Sequence, residues 1–113
     1  MHDCIFCKII KGDIPSAKIY EDETCYAFPD ISPQAKVHIL VVPKTHIADA
    51  SEAANHEGIF EACLKACAEV TKIKGIDQTG YRIVTNTGKD ARQSVAHLHF
   101  HVLGGEQLSD SMR

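Results

Sequence analysis

Residues 97–103 read His97-Leu98-His99-Phe100-His101-Val102-Leu103, an alternation of imidazole with bulky apolar side chain. A period of two belongs to a strand whose successive side chains point to opposite faces, so this stretch predicts one apolar face and one face carrying three histidines. The whole chain has seven histidines. Imidazole taken out of water is costly unless its ring nitrogens are hydrogen-bonded, so nearly half of them on one strand face argues for chemistry. At roughly 3.3 Å rise per residue, neighbours on that face stand about 6.6 Å apart and the outer pair about 13 Å apart, too far for one metal ion to bind all three. Three readings stay open on the strand alone. Two rings could ligate zinc with help from other elements. A neutral ring could act as nucleophile while its neighbours move protons. The face could also be merely solvated.

The segment before it narrows those readings. Asn86-Thr87-Gly88-Lys89-Asp90-Ala91-Arg92-Gln93-Ser94 is a polar loop that follows the apolar stretch Tyr81-Arg82-Ile83-Val84-Thr85. Clustered backbone N–H groups, a hydroxyl, amides and cations suit an anion such as phosphate. The loop has one glycine and no dinucleotide or nucleotide-triphosphate glycine pattern, so by itself it reads as a surface turn; beside the histidines it reads as half of a phosphate site.

Together, Asn86-x-Gly88 and Gln93-Ser94-Val95-Ala96-His97-Leu98-His99-Phe100-His101-Val102-Leu103-Gly104-Gly105 resemble the signature of the histidine triad (HIT) superfamily. Further stretches resemble, in order, the N-terminal landmarks of its Hint branch: Cys4 to Ile10, Gly12-Asp13-Ile14-Pro15, Phe28-Pro29-Asp30-Ile31-Ser32-Pro33-Gln34, and Val41-Val42-Pro43-Lys44-Thr45-His46. The resemblance therefore spans nearly the whole chain.

Composition agrees with a small globular domain. At 113 residues and 12.4 kDa, the chain 1–113 is expected to be a single domain, small enough to gain from a dimer interface or a structural metal. A formal charge of -3 and scattered Lys and Arg argue against a nucleic-acid partner. No apolar run approaches the ~20 residues of a spanning helix, and Met1-His2-Asp3-Cys4 lacks the regions of a signal peptide, so no membrane partner and a cytoplasmic location are expected. Five cysteines, an odd number, fit reduced thiols or metal ligands better than a disulfide framework.

Read coarsely, Cys4 to Ile10 predicts a short helix ended by Gly12 and Pro15, and residues 17–21 and 24–28 a hairpin turning at Asp22-Glu23. Val37 to Val42 is a third strand, stopped by Pro43. Ile59, Phe60, Cys63, Leu64, Cys67 and Val70 recur at helical spacing within a helix predicted over about 55–74, with Gly75 placed to end it. Tyr81 to Thr85 and Val95 to Leu103 complete five strands. The expected fold class is α+β: a five-stranded antiparallel meander with one long helix and a short N-terminal helix. The stripe on the long helix reads as wider than one thin sheet needs, which, with the homodimers of the Hint branch, predicts a homodimer.

Cys4-x-x-Cys7 is half of a zinc site by spacing and fits redox chemistry or two core thiols as well. The resemblance completes the set: it implies that Cys4, Cys7, His46 and His97 hold a structural zinc. Cys63 and Cys67, four apart on the long helix, read as core residues. His2 and His56 read as exposed histidines without a role.

For function the resemblance implies a hydrolase or phosphoramidase acting on purine nucleoside monophosphate derivatives, with an AMP-like ligand and no catalytic cofactor. His99 would attack the α-phosphorus, holding its other ring proton on the backbone carbonyl of His97; His101, His38 and Ser94 would serve the phosphate and the leaving group. Asn86 and Gln93 would position substrate, Asp30 would accept from ribose hydroxyls, and Ile5, Phe6, Ile9, Phe28 and Ile31 would form the slot for the base. His101 favours hydrolysis over nucleotidyl transfer, because the transferase branches resemble His-x-His-x-Gln. Two features depart from the pattern: Arg92 stands where glycine is usual, and Leu108 to Arg113 lacks the Trp-Pro-Pro-Gly tail of animal Hint proteins. Alternative readings are a nucleotide-binding or regulatory protein with little turnover, a dinucleoside polyphosphate hydrolase, and a zinc-stabilised interaction protein.

Overall fold

The computed structural model describes residues 3–112, so His2 and Arg113 lie outside it. Along the chain come α1 (Ile5–Lys11), β1 (Tyr20–Glu21), β2 (Cys25–Pro29), β3 (Val37–Pro43), α2 (Ala50–Ala53), α3 (Ile59–Ile73), β4 (Tyr81–Val84) and β5 (Phe100–Gly104). All strand pairs are antiparallel, and the sheet order is β1-β2-β3-β5-β4. The class is the expected α+β sheet with one long and one short N-terminal helix. The order departs from a plain meander, because β5 inserts between β3 and β4. The link from β3 to β4 runs through α2 and α3, long enough to step over one strand position, and the polar loop 86–94 then turns the chain back into the gap.

Cross-strand register sorts the sheet into two faces. Cys25, Ala27, Ile39, Val41, Phe100 and Val102 lie on one, packed with Cys63, Cys67 and Val70 of α3 in the main core. Tyr26, Phe28, Leu40 and Val42 lie on the other, covered by Phe6 and Ile9 of α1 in a second cluster. The histidines belong to this second face. Gly12 closes α1 with φ +87, the left-handed conformation that lets its N–H reach back to the Ile9 and Lys8 carbonyls.

Several expected boundaries move, each for a physical reason. Residues 17–19 precede β1, which is only two residues long. The strand expected over 95–103 pairs only from Phe100: Val41 opposite Phe100 is the last rung with β3, and the chain N-terminal to it is held instead by Leu98 N–H on the Ile47 carbonyl at 2.6 Å. The long helix starts at Ile59, behind a turn, and not near Asn55. Helix α2 was not foreseen, although Asp49 is a good N-cap: its Oδ1 accepts from Glu52 N–H at 2.9 Å, and Glu52 Oε1 reaches back to Ala48 N–H at 2.6 Å.

The helical stripe packs mainly on the sheet of its own chain. Ile59, Cys63, Cys67 and Val70 are buried against the chain's own sheet, and Phe60 packs on Phe100 with ring centroids 6.3 Å apart. Only Leu64 of that set is exposed. Most of the stripe is core, with Phe60 partly buried and Leu64 at its exposed margin. Cys63 and Cys67 are core thiols as expected, and Cys25 Sγ lies 3.8 Å from Cys63 Sγ.

Candidate active site and adjoining metal centre

The histidine face is assembled from the residues before β5, β5 itself and β3. His97 and His99 are buried in the segment leading into β5, His101 is half-buried on β5, and His38 is buried on β3. His38 opposes Leu103 and Leu40 opposes His101, so His38 and His101 are diagonal neighbours on one face.

Hydrogen bonds assign the protons on these rings. A carbonyl can only accept, so His99 Nδ1 donates to the His97 carbonyl at 2.7 Å and His99 Nε2 keeps its lone pair. His97 Nε2 donates to the Pro43 carbonyl at 2.8 Å, which leaves His97 Nδ1 as an acceptor. Gln34 N–H donates to His38 Nδ1 at 2.9 Å, so in neutral His38 the proton sits on Nε2 and is donated to His101 Nδ1 at 2.8 Å. Neutral His101 then carries its own proton on Nε2. The site therefore presents a bare imidazole nitrogen on His99 beside a ring N–H on His101, with the two ring centroids 5.1 Å apart.

Burial favours the neutral ring at His38, His97 and His101. Desolvation lowers the pKa of His38, against the attraction of Asp30. Desolvation lowers that of His101 to about 4, helped by His99 and His38. His97 is lowered by burial too, against its bond to Pro43. Asp30 lies at the rim: its Oδ1 accepts from Ser32 N–H at 2.8 Å and its Oδ2 stands 3.4 Å from His38 Nε2.

Phe6 is the pivot of the apolar side. Its ring meets Phe28 at 5.5 Å, His99 at 5.1 Å and His97 at 5.8 Å, all edge to face. Ile9 and Phe28 share its cluster, whereas Ile5 is half-exposed and Ile31 is 97% exposed. Of the apolar set expected around the base, the structure thus joins Phe6, Ile9 and Phe28 in a wall and leaves Ile5 and Ile31 outside it.

The loop 86–94 is held by Gln93. Its Oε1 accepts from Gly88 N–H at 2.9 Å, and its Nε2 donates to Ala48 O at 2.7 Å and Val95 O at 2.9 Å. Both amide hydrogens are committed to the backbone, so the side chain shapes the loop. Arg92 has φ +62, the one non-glycine positive φ among the described residues, as the departure from glycine foreshadowed. Ser94 is exposed, beside His46 in a cavity of about 430 Å³, and Asn86 is half-buried in another of about 780 Å³. Sequence reasoning missed Thr85, whose Oγ1 donates to the His99 carbonyl at 2.8 Å, and the backbone groups of Gln34 and Pro43 that set the tautomers. Backbone donors and acceptors leave no mark in a residue pattern.

The four expected metal ligands converge. Cys4 Sγ and Cys7 Sγ lie 3.3 and 3.6 Å from His97 Nδ1, and Cys7 Sγ lies 3.4 Å from His46 Nδ1. Donors bonded at about 2.0–2.3 Å to a tetrahedral centre stand about 3.3–3.8 Å apart, so the set fits zinc in size and in its two-thiol, two-imidazole chemistry. The His97 Nε2–H on Pro43 fixes the ring with Nδ1 free, the outer support a ligating histidine needs. Asp30, His38 and His101 also cluster, their donor atoms within 4.8 Å of one another. They do not fit a metal: Gln34 N–H occupies His38 Nδ1, so Nε2 must carry the proton and has no lone pair to give.

The HIT domain family model matches residues 11–108. An uncharacterised HIT-like protein of Synechococcus elongatus is 46% identical over 108 residues, covering 95% of this chain and 94% of its own. The purine nucleoside phosphoramidase of Escherichia coli K12 is 40% identical over 107 residues, covering 94% and 90%. The structure of a HIT family hydrolase from Clostridium thermocellum superposes with a TM-score of 0.95 at 43% identity, over 100% of this chain and 99% of that one.

Proposed function

This chain belongs to the HIT domain family, and on that footing we propose that it is a nucleotide hydrolase of the phosphoramidase type, acting at the α-phosphorus of purine nucleoside monophosphate derivatives through a covalent nucleotidyl-His99. The observation that supports this reading most is the tautomer of His99. Its Nδ1–H is committed to the His97 carbonyl, so Nε2 carries the lone pair a nucleophile needs without prior deprotonation. Attack forms the Nε2–P bond and breaks the P–N bond of a phosphoramidate. The departing nitrogen takes the bonding pair and a proton from solvent while the His101 Nε2–H steadies the phosphoryl oxygens, and the water that cleaves the nucleotidyl-histidine releases a proton back to solvent. The cation that forms on His99 is held by the same His97 carbonyl. Phe6, Ile9 and Phe28 offer the base an apolar wall, Asp30 offers ribose hydroxyls an acceptor, and Ser94 and Asn86 stand at the phosphate loop.

Cys4, Cys7, His46 and His97 would hold zinc, and what zinc supplies there is a cross-link between α1, the segment after β3 and the histidine segment. Because Cys2His2 fills four positions, this metal is structural. We further propose a homodimer formed on the outer edge of β4, whose backbone is paired with β5 on one side only, and a cytoplasmic location. Among the described residues no helix is long and apolar enough to cross a membrane.

The test is single-turnover trapping. Wild-type protein mixed with a purine nucleoside phosphoramidate and acid-quenched should carry one nucleotidyl group on the peptide containing His99. Saturable AMP binding with neither adduct nor turnover would replace this reading by a nucleotide-binding protein.

A further inference from the structure

The strand order lays out more than the nucleotide needs. From β2 outward, the second face of the sheet presents the Phe28 wall on β2, His38 on β3 with Asp30 just beyond β2, and His101 on β5. One strand remains, β4. Arg82 opposes Leu103 and Val84 opposes His101, so Arg82 and Val84 share the histidine face. Beside them is the cavity of about 780 Å³ that also holds Asn86, Gln34 and tail residues including Leu108 and Ser109.

Taking the proposed chemistry as given, a substrate with its base on the β2 wall and its phosphorus at His99 and His101 has β4 as the next strand on the side away from the base. Arg82 is the cation waiting there. Its guanidinium donates to the Ser109 carbonyl at 2.9 Å, and among the described residues no carboxylate pairs with it. Guanidinium has five N–H donors in a fork suited to carboxylate or phosphate, so one bond to a carbonyl leaves most of them to offer.

We infer that the cavity between β4 and the C-terminal tail is the leaving-group pocket, and that Arg82 makes it selective for leaving groups that carry a negative charge. The reaction is the one already written; the pocket acts on the amine or phosphate that departs. Carboxylate from an amino acid and phosphate from a polyphosphate would satisfy the same fork.

The experiment compares adenosine 5′-phosphoramidates of glycine and of glycinamide, alike in size and unlike in charge, with a dinucleoside polyphosphate as the phosphate-bearing arm. The readout is the glycine-to-glycinamide ratio of kcat/KM in wild type divided by that ratio in Arg82→Gln. This double ratio removes the intrinsic difference between the two amines. A half-buried charge contact should make it about fivefold or more, with the glycinamide substrate changed less than about twofold. Arg82→Lys should keep most of the preference, and raising salt should erode it in the wild type, a measurement that stands even if Arg82→Gln does not fold. A fall in the polyphosphate arm alongside glycine makes the pocket a general anion site, and a fall with glycine alone makes it a carboxylate site. Equal losses for glycine and glycinamide would reduce Arg82 to a staple for the tail and overturn the inference while the hydrolase reading stands. Wild-type protein that turns over none of the three substrates would overturn both.

Discussion

His97 and His99 are joined by a 2.7 Å hydrogen bond from the ring of the second to the backbone carbonyl of the first, while the ring of His97 faces Cys4 and Cys7. One residue thus serves two centres with different atoms. Its imidazole belongs to the candidate metal ligand set, and its carbonyl accepts from Nδ1 of His99, which leaves Nε2 of the neutral ring bare. Movement of His97 would therefore disturb both, which gives the first two predictions.

Replacement His99→Asn should reduce turnover by at least about a thousandfold while AMP affinity stays within about tenfold, because the nucleophile contributes chiefly in the transition state. Steady-state hydrolysis with calorimetric AMP titration checks this. Retention of a tenth of the wild-type rate would remove His99 from the mechanism.

Purified protein should contain about one zinc per chain, and its removal by a chelator should lower the melting temperature by several degrees or more, since metal binding free energy is folding free energy. The same loss is expected for Cys7→Ser. Metal analysis alongside calorimetry reads the outcome, and an unchanged melting temperature after removal would dismiss the site.

Acid should destabilise the fold through His101. Its folded pKa, about 4, lies below the ordinary 6.5 because burial and the neighbouring rings oppose its charge. The unfolded chain then binds the extra proton first, so the contribution is fully present above about 6.5 and is lost as pH falls toward 4. His38 is lowered as well and acts in the same direction. Melting curves from pH 7.5 to 4 should fall less steeply for His101→Gln than for wild type. Parallel curves would show that the ring is not held neutral by its surroundings.

Arg92 sits at φ +62, where a side chain crowds its own backbone. Arg92→Gly should stabilise the protein by about 0.5–1 kcal/mol, the strain relieved being partly offset by the greater freedom of glycine when unfolded. Denaturant titration should show a raised midpoint with unchanged slope. A lowered midpoint would mean that the Arg92 side chain makes contacts worth more than the strain.

The proposed dimer rests mainly on the β4 edge, since most of the α3 stripe is buried in the chain's own core. Cys63→Glu should unfold the monomer, because Cys63 is fully buried against β2. Leu64→Glu, at an exposed position, should leave the fold intact. Light scattering on wild type reports the assembly itself, and a mass near 12.4 kDa at micromolar concentration would sink the dimer.

What the chain declares on its own is periodic or covalent. Alternation over 97–103 named the histidine face, the 3.6-residue recurrence from Ile59 to Val70 named the buried face of α3, and Cys4-x-x-Cys7 named half a ligand set, because each needs only neighbours within a few residues. A resemblance supplied the partners His46 and His97, which spacing could not. Tertiary structure decided the rest. A period of two says which face a side chain occupies and nothing about which strand lies alongside, so the insertion of β5 between β3 and β4 was not legible, nor was the His38–His101 bond it creates. The width of an apolar stripe does not reveal how much sheet lies under it, and α3 proved to be matched to its own core. The bonds of the Gln93 amide to Ala48 and Gly88 were not legible either, because its residue type suits many partners. These are contacts between segments far apart in the chain, fixed by closure of the whole sheet and not by any local preference.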